Sequence, residues 1–344
     1  MTQKNSKIAI AGAGAIGLYI GGRLAAAGHE VSFLARSRIV QALWKDGLTV
    51  SDADGFEQHV SPDDFEATSD LDAAFAGADL ILVTVKSKDT ADMAAQIAHR
   101  APNARAVVSF QNGVRNAARL REALPGLDVR AGMVPYNVVL DADAPVTATR
   151  TTQGPLIMQA APGDALAARL TAPGLPVQTR PDMDKIQFSK LLINLNNAIN
   201  ALSGLPLAVQ MADWRWRALS AACMAEAIEV ARASKRPFGK VGPLNPLFMP
   251  VLLSQPNWIF IPLIRRMNRI DPKATSSMQD DLRRGRETEI EDLQGEIARM
   301  AEAAGRRAPI NAAIAALVHE AEALNIGPPM MAPEIVARRC GIQI

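Results

Sequence analysis

Residues 7–38 read KIAIAGAGAIGLYIGGRLAAAGHEVSFLARSR, and this stretch decides the fold. KIAIA at 7–11 is a short β-type run. Gly12, Gly14 and Gly17 follow at fixed offsets, and a helix of small residues then runs to Ala27. Gly28 ends that helix, and EVSFLA at 30–35 predicts the next strand. Strand, glycine turn, helix and strand make a right-handed βαβ unit, the element from which parallel sheets are built. The spacing Gly12-x-Gly14-x-x-Gly17 also has a chemical meaning. The first glycine permits a tight turn, the second lets backbone approach a pyrophosphate, and the third lets helix and strand pack closely. The helix N-terminus then offers N–H groups and a favourable dipole to the phosphate. Gly12, Ala13, Gly14, Ala15, Ile16 and Gly17 are therefore expected to cradle a dinucleotide.

The end of the second strand selects which dinucleotide. NAD enzymes usually carry Asp or Glu there, bonded to the ribose 2′-hydroxyl. This chain reads Leu34-Ala35-Arg36-Ser37-Arg38 instead. Arg36 suits a 2′-phosphate through paired hydrogen bonds, with Arg38 or Ser37 assisting. The expected cofactor is NADP (NADPH).

Strand-like runs recur at Leu80–Val85, Ala106–Phe110 and Val129–Val134, separated by helical stretches at Thr90–Arg100 and Val114–Leu124. The segment 136–180 is richer in Pro, Gly and Thr. Its β-like pieces at 146–151 and 155–159 predict antiparallel additions to the sheet. Beyond Asp182 strand signals vanish, and helices are predicted over 184–203, 218–236 and 277–304. The fold class is α/β, with a Rossmann-type dinucleotide-binding domain over 1–181 followed by an all-helical substrate or dimerisation domain over 182–344. A chain of 344 residues exceeds one comfortable core, which agrees with two domains.

Composition removes several function classes. A net charge of +2 is too small to imply nucleic acid or an anionic membrane as partner. Two cysteines, Cys223 and Cys340, make no disulfide framework, and the four scattered histidines lack metal-ligand spacing. Lys4 and Lys7 ahead of the apolar run 8–22 imitate a signal peptide, but the glycine spacing explains that run, so a cytoplasmic protein is expected. The apolar run 258–264 is too short to span a bilayer and holds Pro262. The wider stretch Pro237–Pro272 is expected to pack against protein or to form a homodimer interface rather than lie on a membrane.

Two further features carry chemistry. Lys86 follows the strand at 80–85, and Gln111-Asn112-Gly113 follows the strand at 106–110. Both sit at the carboxyl ends of parallel strands, where open α/β sheets bind ligands. On the helix predicted at 184–203, Lys190, Asn194 and Asn197 fall within an arc of about 60°, while leucines and isoleucines cover the rest. A lysine and two amides on one face of a buried helix need polar partners or a solvent-lined site. A structural network answers that need, and so does a substrate site with Lys190 as general acid.

With these pieces together, the chain resembles the ketopantoate reductase (2-dehydropantoate 2-reductase) family over nearly its whole length. The resemblance rests on GAGAIG at 12–17, Val85-Lys86, Gln111-Asn112-Gly113, KLLIN at 190–194, Ser276-Ser277-Met278 and Thr288-Glu289-Ile290. It implies NADPH and reduction of ketopantoate to pantoate in pantothenate synthesis. It assigns Lys190 as proton donor, Asn112 and Lys86 to the cofactor and active-site rim, Asn194 and Ser277 to the substrate, and Glu289 to the nicotinamide end of the cofactor. Ser276 and Gln279 also form a capping-box pattern, which gives Ser277 a purely structural alternative. Glu289, twelve residues along the same predicted helix, would lie on the order of 18 Å from Ser277, too far to address the same oxygen.

The chain departs from the family where substrate would be read. Ala198 stands where a second helix asparagine is usual, with Asn197 beside it as a replacement, and 206–208 carries no amide. A paralogous reductase of another small 2-keto acid and a non-catalytic NADP(H) sensor are the rival readings.

Overall fold

The chain is described by a computed structural model over residues 7–53, 55–143, 145–161, 165–241, 245–267 and 274–344, side chains of 264–267 excepted. The strands are β1 (Lys7–Ala11), β2 (Val31–Leu34), β3 (Leu48–Asp52), β4 (Glu57–Val60), β5 (Glu66–Thr68), β6 (Ala78–Val83), β7 (Ala106–Ser109), β8 (Asp128–Met133), β9 (Val138–Asp141), β10 (Val146–Arg150), β11 (Leu156–Gln159) and β12 (Val177–Arg180). The chain divides into two compact units, Met1–Met183 and Asp184–Ile344.

In the first unit β1 is buried at every residue, as a central parallel strand must be when helices cover both faces. Eight strands order as β12-β11-β8-β7-β6-β1-β2-β5, and the six from β5 to β8 pair in parallel. The strand order reverses between β1 and β6, so the loops leaving those two strands flank a topological switch point, the usual ligand crevice of such sheets. β11 joins β8 antiparallel, as expected. β10 does not join this sheet: it pairs parallel with β3 and antiparallel with β9 in a second sheet ordered β4-β3-β10-β9. The helix Ala15–Ala26 packs against both sheets. A methyl added at Gly21 would meet Phe33 Cε1 at 2.3 Å, and one at Gly22 would meet Val50 Cγ1 at 2.6 Å. That close approach justifies two helix-interior glycines, each costing about 1 kcal/mol against alanine.

The second unit is helical among its described residues, apart from a single bridge position at Val241. Two predicted helices prove to be interrupted. The stretch 184–203 forms Met183–Asn194 and Asn196–Ser203, and at the junction the Leu195 carbonyl accepts from Gln294 Nε2 at 2.7 Å. The stretch 277–304 forms Ser277–Arg283, a short turn at Ile290–Asp292 and Gln294–Ala303. Gly285 with φ +60° marks the first break, a left-handed position that ends helices.

Of the apolar stretch Pro237–Pro272, residues 242–244 and 268–272 lie outside the described residues; the described part is buried in places and exposed in others. Arg217, fully buried, donates to the carbonyls of Leu253 (3.1 Å), Met211 (2.8 Å) and Gln255 (2.8 Å) and to Asn257 Oδ1 (2.8 Å). Its guanidinium lies 4.3 Å from the Phe260 ring centroid. Leu253 and Phe260 are buried, whereas Phe248, Val251 and Trp258 are exposed, Trp258 at 77%. Among the described residues no helix is long and apolar enough to cross a membrane.

Candidate functional site

The glycine loop leaves β1 as the spacing requires. Gly12 takes φ +113°, and a methyl there would strike Val85 N and Cγ1 at 2.7 Å. A methyl at Gly17 would lie 2.2 Å from the Gly12 carbonyl oxygen and 2.7 Å from Thr84 Oγ1. Thr84 Oγ1 donates to that same carbonyl at 2.6 Å, tying the loop to the end of β6. Gly14 is different. Its φ of −85° suits any residue, and among the described residues beyond its chain neighbours no atom lies within 4 Å of the methyl it lacks. The helix behind it begins with the Leu18 N–H to Gly14 carbonyl bond at 2.8 Å, with no side-chain cap and no acidic residue in its first turn. The amides of Ala15, Ile16 and Gly17 therefore precede the first helical hydrogen bond. Beside them Ala13 donates its N–H to the Leu34 carbonyl at 2.9 Å, coupling the loop to the end of β2.

Arg36 stands just beyond β2, exposed, at the start of the helix Ser37–Asp46, and forms no ion pair among the described residues. Arg38 is engaged by Asp143 at 2.7 Å. Both partners are largely exposed, so that pair is weak. Lys86, half-buried, opens the short turn Ser87–Asp89. Asn112 is also half-buried, and its carbonyl accepts from Asn116 Nδ2 (2.6 Å) and Ser87 Oγ (3.3 Å). Gln111 is a strut rather than a ligand group: its Nε2 donates to the Val85 carbonyl (3.0 Å) and Thr90 Oγ1 (2.7 Å), and its Oε1 accepts from Ser109 (2.9 Å). These bonds join the loops after β6 and β7 into one rigid rim. Sequence reading identified the rim residues and missed the bolts, Ser87, Thr90 and Asn116, which look like ordinary helix-start polar residues.

In the second unit Lys190, Asn194 and Asn197 are half-buried while Leu191, Leu192, Leu195, Ala198 and Ile199 are buried. The polar arc survives the junction at Leu195 because that residue keeps helical dihedrals. Part of Lys190 stays accessible, yet protein surrounds its ammonium, and the loss of water draws its pKa down to about 8; the Glu289 carboxylate opposes that fall. Glu289 thus acts on Lys190, and it does not share one continuous helix with Ser277, because the stretch 277–304 is interrupted before it. Ser277 is exposed at the first position of its helix. Its neighbour Ser276 caps that helix by accepting from Gln279 N (3.2 Å) and donates Oγ–H to the Asn197 carbonyl (3.0 Å). The Ser276 N–H donates to Asn200 Oδ1 at 2.9 Å. Asn200 is fully buried and also donates to the Leu205 carbonyl (2.9 Å) and Gln210 Oε1 (3.0 Å). Capping therefore belongs to Ser276, and the Ser277 hydroxyl is not used by the cap. Asn200 is the residue missed: it lies about 60° beyond Asn197 around the helix, and an amide in that otherwise apolar flank was the available signal. Among the described residues no group of three His, Cys, Asp or Glu is arranged to hold a metal.

A family model described as Ketopantoate reductase PanE/ApbA matches residues 8–163, and one described as Ketopantoate reductase PanE/ApbA C terminal matches 182–322. The crystal structure of a PanE/ApbA family ketopantoate reductase from Ralstonia eutropha JMP134 is 33% identical, with a TM-score of 0.77 and coverage of 93% of this chain and 99% of that one. The chain belongs to the ketopantoate reductase family. It is therefore an oxidoreductase with the Rossmann-plus-helical architecture of that family. A 2-dehydropantoate 2-reductase from Archaeoglobus fulgidus is 27% identical over 329 residues, covering 92% of this chain and 98% of the relative. The fold extends to a D-mandelate dehydrogenase solved with NADH and anilino(oxo)acetate, 20% identical with a TM-score of 0.74, covering 93% of this chain and 99% of that one.

Proposed function

We propose that this member of the ketopantoate reductase family reduces 2-dehydropantoate to pantoate with NADPH, and that Lys190 is the general acid. The observation that carries the proposal is the Lys190 ammonium, drawn down to about pKa 8 by burial and held charged by Glu289, on one arc with two half-buried asparagines.

The glycine loop fits a pyrophosphate on its own evidence. Gly12 and Gly17 are required by contacts within the protein, but Gly14 is not, so its missing side chain is explained by a group that approaches from outside. Arg36 favours the 2′-phosphate of NADP, since an exposed guanidinium there has the fork that a phosphate accepts. Lys86 and Asn112 complete the rim. When bound, NADPH supplies the hydride. The chain's own task is the ketone oxygen, on which negative charge develops as the carbonyl is reduced. An ammonium beside that oxygen stabilises the charge and then donates its proton. A pKa of about 8 leaves the donor protonated at neutral pH while making it a stronger acid than an ordinary lysine. Asn194, one turn on, is suited to orient that oxygen, and Asn197 with Ser277 to bind the substrate carboxylate.

A paralogous reductase of another 2-keto acid is the second reading. It is favoured by Ala198, which is wholly buried and offers no amide, and by the absence of one at 206–208. A sensor that binds NADP(H) without turnover would not need a tuned proton donor. Steady-state kinetics with ketopantoate, pyruvate, 2-ketoisovalerate and 2-ketobutyrate decide among them. The proposal expects the highest kcat/KM for ketopantoate; a higher value for another acid favours the paralogue, and tight NADPH binding with no turnover favours the sensor.

A further inference from the structure

His319 lies on the helix Pro309–Leu324 and has no role assigned above, yet both of its ring nitrogens meet carboxylates. Nδ1 is 2.9 Å from Glu322 Oε2, and Nε2 is 2.9 Å from Glu291 Oε1. An ionised carboxylate only accepts, so both contacts are hydrogen bonds only if both nitrogens carry protons, which defines the imidazolium. Those two carboxylates grip one short segment. Glu322 Oε1 accepts from the Thr288 N–H at 2.7 Å, Thr288 Oγ1 accepts from the Ile290 N–H at 3.2 Å, and Glu291 lies in the turn Ile290–Asp292. Glu289 stands between the two attachment points, and its carboxylate acts on Lys190.

We propose that His319 is a positioning residue for the proton donor: its imidazolium clamps Glu322 and Glu291, and the clamp holds the 288–291 segment so that Glu289 stays on Lys190. The proposal rests on Lys190 being the general acid.

The charges around His319 agree with such a clamp. From its own helix comes Glu322 and from the turn Glu291. From Gln294–Ala303 comes Arg299, which bonds Glu291 (2.8 Å) and Glu296 (3.1 Å). The helix Asn196–Ser203 carries no titratable side chain. The helix Trp214–Ala233 brings Glu226, whose oxygens accept from the Ile310 (2.9 Å) and Asn311 (2.8 Å) amides. Hydrogen bonding to Glu291, and secondarily to Glu322, raises the His319 pKa above its ordinary value. The sign follows: the clamp is closed below that raised pKa. As pH rises through it the neutral ring keeps one donor and releases one carboxylate.

The test reads Lys190 directly, without turnover. Competitive acylation with acetic anhydride across pH, followed at Lys190 by mass spectrometry, gives the midpoint of its ammonium. Wild type is expected near 8. Glu289→Gln should lower the midpoint by about one unit, the scale of a lost opposite charge at close range. His319→Gln should lower it in the same direction, and the double variant should add little to Glu289→Gln alone. His319→Arg, a permanent cation with several donors, should restore the wild-type midpoint. A wild-type midpoint in His319→Gln would overturn the proposal, as would full additivity in the double variant. The general-acid reading fails separately, through retained kcat in Lys190→Ala, an outcome that leaves the acylation midpoints readable.

Discussion

Gly14→Ala separates what the fold needs from what the cofactor needs. The Gly14 backbone already lies in an extended conformation open to alanine, and the added methyl meets nothing within 4 Å. Two small terms oppose each other. Alanine stabilises by about 0.4–1 kcal/mol through the unfolded chain, while replacing glycine at a helix N-cap costs up to about 1 kcal/mol. The net effect on stability should stay within about 1 kcal/mol, a shift in Tm of roughly 2–4 °C at most for a unit of this size. At Gly17 the same methyl would sit 2.2 Å from a backbone carbonyl, and overpacking of that kind costs about 1–3 kcal/mol or more. Calorimetric melting of both variants without cofactor, followed by NADPH titration, makes the comparison. Gly14→Ala should melt like wild type and bind NADPH at least about ten-fold more weakly, a loss of about 1.4 kcal/mol or more. Gly17→Ala should melt visibly lower. A Gly14→Ala protein that binds NADPH as tightly as wild type would refute the pyrophosphate assignment.

Arg36→Ala should raise KM for NADPH far more than for NADH, by about 1.5–3 kcal/mol of lost charge-assisted bonding; equal use of both cofactors by the unmodified enzyme would contradict the NADP assignment. The exposed apolar side chains of Phe248, Val251 and Trp258, clustered in one short segment, are expected to pair two copies of the chain, because exposed apolar surface marks interaction sites. Sedimentation should report a dimer that Trp258→Asp converts to monomer, with no recovery of wild type on liposomes at low salt; flotation with the vesicles would favour a membrane surface instead.

What the sequence made legible follows a physical divide. β1, the glycine turn and the following helix carry their signals locally, in apolar runs and in backbone positions that only glycine tolerates, so they read directly. The second sheet was hidden because β3 and β4 are short and half polar, although Asp54-Gly55 between alternating runs is a hairpin signal. Helix interruptions at Leu195 and Gly285 depend on distant partners, Gln294 for the first, or on a glycine lost among arginines. The shared arc of Lys190, Asn194 and Asn197 was legible because their spacing survives the junction. The influence of Glu289 on Lys190 was not, since it depends on how two segments distant in sequence pack together.

Proton donation by Lys190 is tested most directly by kcat in Lys190→Ala, with Lys185→Ala as control. Lys185 lies about 140° away around the helix, and its Cε packs where a side chain at Gly239 would stand. Wild-type kcat should fall as pH rises through about 8, because the ammonium is the donor and is lost above its pKa. Lys190→Ala should lower kcat by about 10²–10⁴-fold, abolish that alkaline fall and leave NADPH affinity nearly unchanged, while Lys185→Ala stays close to wild type. A Lys190→Ala enzyme that keeps most of its kcat and the same alkaline limb would contradict the account.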